Sequence, residues 1–147
     1  ERLTTLFQVE YQPGQLTAIA YENGVEVGRD TLTTAGPAAA LRLTADRETI
    51  SAGGQGLAFI TADLTDAAGN WNRWEQKEVA VEVEGPGVLL GFGSAAPSTE
   101  GSYQSPVCST WDGRVMAVVR SLGVTGEVRV RFTAPDCESA EIVITTE

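Results

Sequence analysis

Apolar residues recur at every second position in short bursts along this chain, which is the period of strands and not of helices. Phe7, Val9 and Tyr11 alternate with polar neighbours and predict a strand over 6–11, ended by Pro13-Gly14. A second burst over 15–21 stops at Asn23-Gly24, the strongest short hairpin signal, and a return strand follows over 25–33. Three strands in about 35 residues are too few to enclose a core. They read as the closing strands of a preceding β domain, whose apolar faces need cover from elsewhere.

Ala35-Gly36-Pro37-Ala38 breaks the pattern and marks a boundary, giving a truncated unit over 1–36 and a full domain over 37–147. Within the second unit Leu41 and Leu43 open a strand, and Ala45-Asp46-Arg47-Glu48 forms a polar corner before Ile50. Ala58, Ile60, Ala62 and Leu64 share one face of 57–65, which ends in the turn Asp66-Ala67-Ala68-Gly69-Asn70. Val79, Val81 and Val83 alternate with Ala80, Glu82 and Glu84, and Gly85-Pro86-Gly87 closes that strand. A short strand over 88–92 follows. Val115, Ala117 and Val119 mark the next inward face, then Val128, Val130 and Phe132 against Arg129 and Arg131, and finally Ile142 and Ile144. About seven short antiparallel strands without a helical period predict an all-β, immunoglobulin-like sandwich. The stretch 93–111, rich in Ser, Ala, Pro and Gly, is expected to be a long loop without a strand of its own.

Composition narrows the function more than the fold. Acidic residues outnumber basic ones two to one, for a net charge of −10, which disfavours phosphate backbones and anionic lipid. No apolar run is long enough for a membrane helix, and Glu1-Arg2-Leu3-Thr4-Thr5 has neither the basic nor the apolar region of a signal peptide. With no initiator Met the chain is expected to be a piece of a longer protein. Nine Arg against a single Lys, with abundant Ala and Gly, suits a GC-rich bacterial genome, and a cytoplasmic setting is favoured.

The chain contains no His, which removes the usual general base and the commonest metal ligand. Cys108 and Cys137 lie far apart without a CxxC motif; two buried free thiols or a disulfide between neighbouring strands are both open. Glycoside hydrolysis needs two facing carboxylates, whereas Glu78, Glu82, Glu84, Glu138 and Glu141 fit solvated strand faces. Asp63, Asp66 and Asn70 cluster oxygen ligands, but the spacing departs from a calcium loop, and Asp66 opening a turn with Gly69 at positive φ accounts for them. The expected catalytic, metal and cofactor sites are therefore none. Trp71, Trp74, Tyr103 and Trp111, with Phe92 nearby, are the candidates for stacking on a sugar or packing against a partner.

The residues also carry a resemblance. The span 41–144, with LRLTADRETISAGGQGLAFITADLTDAAGN, VAVEVEGPGVLLGFG, DGRVMAVVRS and GEVRVRFTA, resembles bacterial immunoglobulin-like domains of the invasin and intimin type. It is closer still to the C-terminal sandwich domain of family 2 glycoside hydrolases of the β-galactosidase type. VEYQPGQLTAIAYENGVEVGRDTLTTAG looks like the end of the small sandwich domain that precedes this module in those enzymes. Relatives often read GxxNGDPTSHE after the GPG strand, whereas this chain reads GFGSAAPSTEGSY, with Ser94 and Ala96 in place of Asn and Asp and no His. Roles tied to those side chains are not carried over.

The resemblance implies a non-catalytic accessory module of a bacterial hydrolase, partnered by the rest of the parent chain or by a second copy. The competing readings are a repeat of a surface adhesin, which would continue as tandem repeats, and a carbohydrate-binding module.

Overall fold

The computed structural model describes residues 4–98 and 101–147, and every regular element in them is a strand. The chain divides into two compact units, Glu1–Thr34 and Ala35–Glu147.

The first unit is one antiparallel ribbon of β1 (Gln15–Glu22) and β2 (Val25–Thr33). Asn23 and Gly24 close it with φ of 50° and 81°, two left-handed residues whose twist matches the strands, as the Asn-Gly pair predicts. One face carries polar ties, a Thr17 to Thr31 hydroxyl pair at 3.0 Å and an Arg29–Glu26 ion pair at 3.0 Å. The other sets Leu16 opposite Leu32 and Ala20 opposite Gly28. Leu16 and Leu32 are both exposed, and a two-stranded ribbon is marginal by itself. The strand expected over 6–11 joins no ladder. Alternation describes side chains only; a strand also needs a neighbour's N–H and C=O groups, and β1 and β2 pair only with each other.

The second unit runs through β3 (Ala40–Ala45), β4 (Thr49–Ile50), β5 (Leu57–Thr65), β6 (Glu78–Glu84), β7 (Gly87–Gly93), β8 (Val107–Ser109), β9 (Arg114–Ser121), β10 (Gly126–Thr133) and β11 (Ala140–Thr146). One sheet has the order β3-β5-β9-β7 and the other β4-β11-β10-β6-β8. Without the two shortest strands, four strands face three in the immunoglobulin arrangement that the strand count predicts. All ladders between its named strands are antiparallel except that of β4 with β11. The structure corrects one expectation here, since the stretch 93–111 does hold a strand, β8, on the edge beside β6. Three residues in a Ser- and Pro-rich context carry too little alternation to be seen. Thr99 and Glu100 of that stretch lie outside the described residues.

The inward faces are those that the period of two marks. Ala58, Ile60, Ala62 and Leu64 of β5 meet Val79, Val115, Ala117, Val119, Val128, Val130, Phe132 and Ile144, all with 0% exposure. Each large apolar side chain so buried stabilises the fold by about 1.5–3 kcal/mol. Phe92 and Phe132 meet edge to face across the sheets, ring centres 6.1 Å apart. Cys108 and Cys137 are free thiols, half-buried at the core's margin, so the disulfide alternative falls away.

Candidate functional site

The two outer faces of the sandwich differ in kind. On the β6-β10-β11 side, Glu84 faces Arg129, and Arg131 stands between Glu82 and Glu141, all of them exposed. Arg129 reaches Glu127 at 3.1 Å and Glu141 at 3.6 Å. Cross-strand charges of this sort are a solvent-facing solution, and Glu82, Glu84 and Glu141 sit here as single carboxylates among arginines.

The outer face of β3-β5-β9-β7 is a grid of four rows. Its first row is Arg42, Asp63 and Arg114, side by side on three strands. Arg114 Nη2 donates to Asp63 Oδ2 at 2.9 Å and Arg42 Nη2 to the same oxygen at 3.1 Å, leaving Asp63 only 4% exposed. The second row sets Thr44 and Thr61 beside Met116 and Gly93, and the third sets Phe59 beside Val118 and Gly91. Two glycines where side chains would stand leave a trough of about 560 Å³, floored by Gly91 and Gly93 and flanked by Tyr103, Met116 and Arg114. Met116 remains exposed in it, and Phe59, opposite Val118 in the sheet, is exposed as well. In the row beyond, Arg120 lies between Leu57 and Val88, its Nε buried without a hydrogen-bond partner among the described residues.

The four aromatic candidates do not converge. Trp71 pairs with Thr65 through its backbone, and its ring lies under two guanidinium groups, Arg114 at 4.2 Å and Arg73 at 4.8 Å. Its indole face is occupied, which corrects its reading as an open platform. Trp74 is 83% exposed and lines neither cleft on this unit. Asn72 explains why: its buried side chain donates to Gly36 O and Glu75 Oε1 and accepts from the N–H groups of Trp74 and Glu75. That knot fixes the segment and turns Trp74 outward.

Tyr103 and Trp111 do come together, both lining a second cleft of about 390 Å³. Trp111 is held by Asp112-Gly113, whose φ values of 49° and 66° make a two-residue hairpin, with Trp111 and Arg114 bonded at 3.1 and 3.0 Å. A side chain at Gly113 would collide with the Asn72 carbonyl. This Asp-Gly pair is a hairpin signal of the same kind as Asn23-Gly24, and it is what the sequence offers to locate Trp111.

The suspected calcium ligands are committed elsewhere. Asp66 Oδ1 accepts the N–H groups of Ala68 and Asn70, and Oδ2 accepts the Asn70 amide at 3.0 Å and Gly36 N at 2.8 Å. The Asn70 amide, helped by the Gly36 N–H, lowers the Asp66 carboxyl to about 2. Among the described residues no three His, Cys, Asp or Glu side chains lie close enough to hold a metal.

Comparison with known proteins agrees with this fold. The family model described as glycoside hydrolase family 2 C-terminal domain 5 matches residues 41–143. Across all 147 residues the chain is 27% identical to beta-galactosidase BoGH2A of Bacteroides ovatus, covering 17% of that protein. Two crystal structures of a glycosyl hydrolase family 2 member from Bacteroides cellulosilyticus are 37% identical, with TM-scores of 0.89 and 0.88 over 95% of this chain and 18% and 19% of theirs. A beta-glycosidase from Bacteroides vulgatus, 24% identical with a TM-score of 0.86, shares the fold. The chain thus spans less than a fifth of the length of these relatives.

Proposed function

Because this chain belongs to the family of glycoside hydrolase family 2 C-terminal domains, C-terminal domain 5, we propose that it is a non-catalytic accessory module, docked on a bacterial hydrolase of the β-galactosidase type. The observation that carries the reading is the contrast between the two outer faces. One is laced with exposed cross-strand ion pairs, while the other presents exposed Phe59 and, beside it in the sheet, a trough lined by Met116, Val118, Gly91, Gly93, Tyr103 and Arg114. The second face has the make-up of a docking surface: apolar and aromatic at the centre, arginine at the rim. The ribbon of β1 and β2 plays the matching part in the first unit, its Leu16–Leu32 face completing a preceding β domain over 1–36. Family membership favours this reading over an adhesin repeat.

Catalysis is assigned to the parent outside this chain. Glu82, Glu84 and Glu141 lie singly on an exposed face beside arginines and Glu78 lies beside Ser109, without the facing carboxylate that glycosyl transfer to water requires. The test places Met116→Asp in the parent enzyme and in the chain alone. A charge in the trough should lower the parent's stability or activity by the equivalent of about 2 kcal/mol, the scale of an interface hot spot, and leave the isolated chain's melting unchanged. A parent indifferent to the substitution refutes docking through this face. Hydrolysis of a chromogenic galactoside by the chain alone refutes the non-catalytic assignment.

A further inference from the structure

We infer that the cleft between Tyr103 and Trp111 is a binding site for a neutral saccharide. The cleft shares Gly93 and Tyr103 with the trough, but Gln76, Glu78, Ser109 and Trp111 belong to it alone, so binding by the isolated chain stands or falls separately from docking through the sheet face.

The register of the β6–β8 ribbon builds one wall. Glu78 is paired with Ser109, so their side chains project from the same side. Two residues along each strand direction, Gln76 and Trp111 reach that side as well, and all four line the cleft. Val79 and Thr110 take the alternate positions and are buried. The result is an indole 39% exposed beside a carboxylate, an amide and a hydroxyl. None of the carboxylate, the Gln76 amide or the Ser109 hydroxyl has a side-chain hydrogen-bond partner among the described residues. Tyr103 and Ser94 line the cleft as well. The Tyr103 ring lies on Gly93, where an added Cβ would stand 2.6 Å from two ring carbons, so the glycine is what lets the ring settle there. Phe92 N donates to Tyr103 O at 2.8 Å and the Gln104 amide to Leu90 O at 2.9 Å, tying this part of the lining to the edge of β7.

Each part answers a feature of a sugar. A pyranose ring has an apolar face of C–H bonds that stacks on an indole or phenol. Its adjacent hydroxyls donate to a carboxylate and both donate to and accept from an amide and a hydroxyl. The volume of about 390 Å³ lies within the range of small-molecule sites and can admit one or two rings. The cleft is set before any ligand arrives, since the Asp112-Gly113 hairpin fixes Trp111 and the β7 edge fixes Tyr103. Charge selects among sugars. Glu78 in the wall, on a chain of net charge −10, repels uronates and sulfated sugars, leaving uncharged hexose oligomers as the class that fits.

The test titrates the 147-residue chain with a β-linked galactose disaccharide, following the three Trp indole N–H resonances by NMR. Saturable movement of the Trp111 resonance is expected, with dissociation in the range of about 1 mM. Trp111→Ala should weaken binding at least about tenfold and Trp111→Phe, which restores a stacking face, by much less. Glu78→Gln should weaken it about threefold to tenfold, and Gly93→Ala should weaken it by pushing the Tyr103 ring away. Trp74→Ala should leave it unchanged. A uronic-acid disaccharide should bind the wild-type chain more weakly than the neutral sugar and gain relative to it in Glu78→Gln. No movement of Trp111 up to about 20 mM neutral sugar, or equal losses from Trp111→Ala and Trp74→Ala, overturns the inference.

Discussion

The row Arg42, Asp63 and Arg114 makes an asymmetric prediction about stability. Asp63 is the buried member, with a side chain 5% exposed, whereas those of Arg42 and Arg114 are 49% and 46% exposed. Replacing both arginines by Ala strands a carboxylate away from water, and an orphaned buried charge costs about 3–5 kcal/mol. Replacing Asp63 by Ala leaves two guanidiniums that water already reaches, and the lost hydrogen bonds cost about 1–2 kcal/mol. The triple replacement should resemble Asp63→Ala, so that removing Asp63 from the double variant restores about 2–3 kcal/mol, a coupling that independent sites would not show. Urea denaturation followed by Trp fluorescence reads this cleanly, because Trp71, Trp74 and Trp111 all lie in the second unit. With an m-value of about 1.5 kcal/mol/M, the double arginine variant should lose about 2–3 M in its midpoint. Repeating the series at high salt removes the long-range effect of changing net charge. Equal losses on either side of the pair, or a triple variant no better than the double, would refute the account of Asp63 as a buried carboxylate whose charge its arginines compensate.

Two further outcomes follow from the fold. Phe132→Ala removes a fully buried ring and its edge-to-face contact with Phe92, and should cost about 3–5 kcal/mol by the same denaturation assay, with near-additive loss in Phe92→Ala/Phe132→Ala counting against the contact. Asp66 has a folded value near 2, below its ordinary 3.8, so the support it gives its turn is complete above about pH 4 and declines as pH falls toward 2. Amide exchange at Ala68 and Asn70, bonded to its carboxylate, should accelerate over that window relative to β10 amides, and more so in Asp66→Asn at neutral pH.

Much of this fold is readable from alternation, because inward faces are local. Ile60, Val115, Val130 and their neighbours are marked by their own strands, and the sandwich follows from their number. Pairing is not local. The strand expected over 6–11 has the right side chains and no ladder, and β8, which has a ladder, has almost no pattern. The candidate site shows the same divide. Aromatics after turns are visible as residues able to reach the surface, but of the two guanidiniums over Trp71 only that of Arg73 is local, and that of Arg114 arrives from β9. Gln76 and Glu78 become neighbours of Trp111 only through the β6–β8 register, which no single stretch of sequence specifies.

The parallel contact of β4 with β11 ties Thr49 and Ile50 to Thr145 and Thr146, positions nearly a hundred residues apart. On the ribosome this means that the second unit cannot close while residues 140–146 are still in the exit tunnel. Until they emerge, β10 has β6 on one side and an open edge on the other, its Val128, Val130 and Phe132 without the cover of Ile142 and Ile144. Topologies dominated by such distant pairs fold in milliseconds to seconds, leaving an interval in which a nascent chain can associate with its neighbours through that edge. A variant with slowed translation just before β11 should therefore differ in soluble yield without differing in the stability of the molecules that mature.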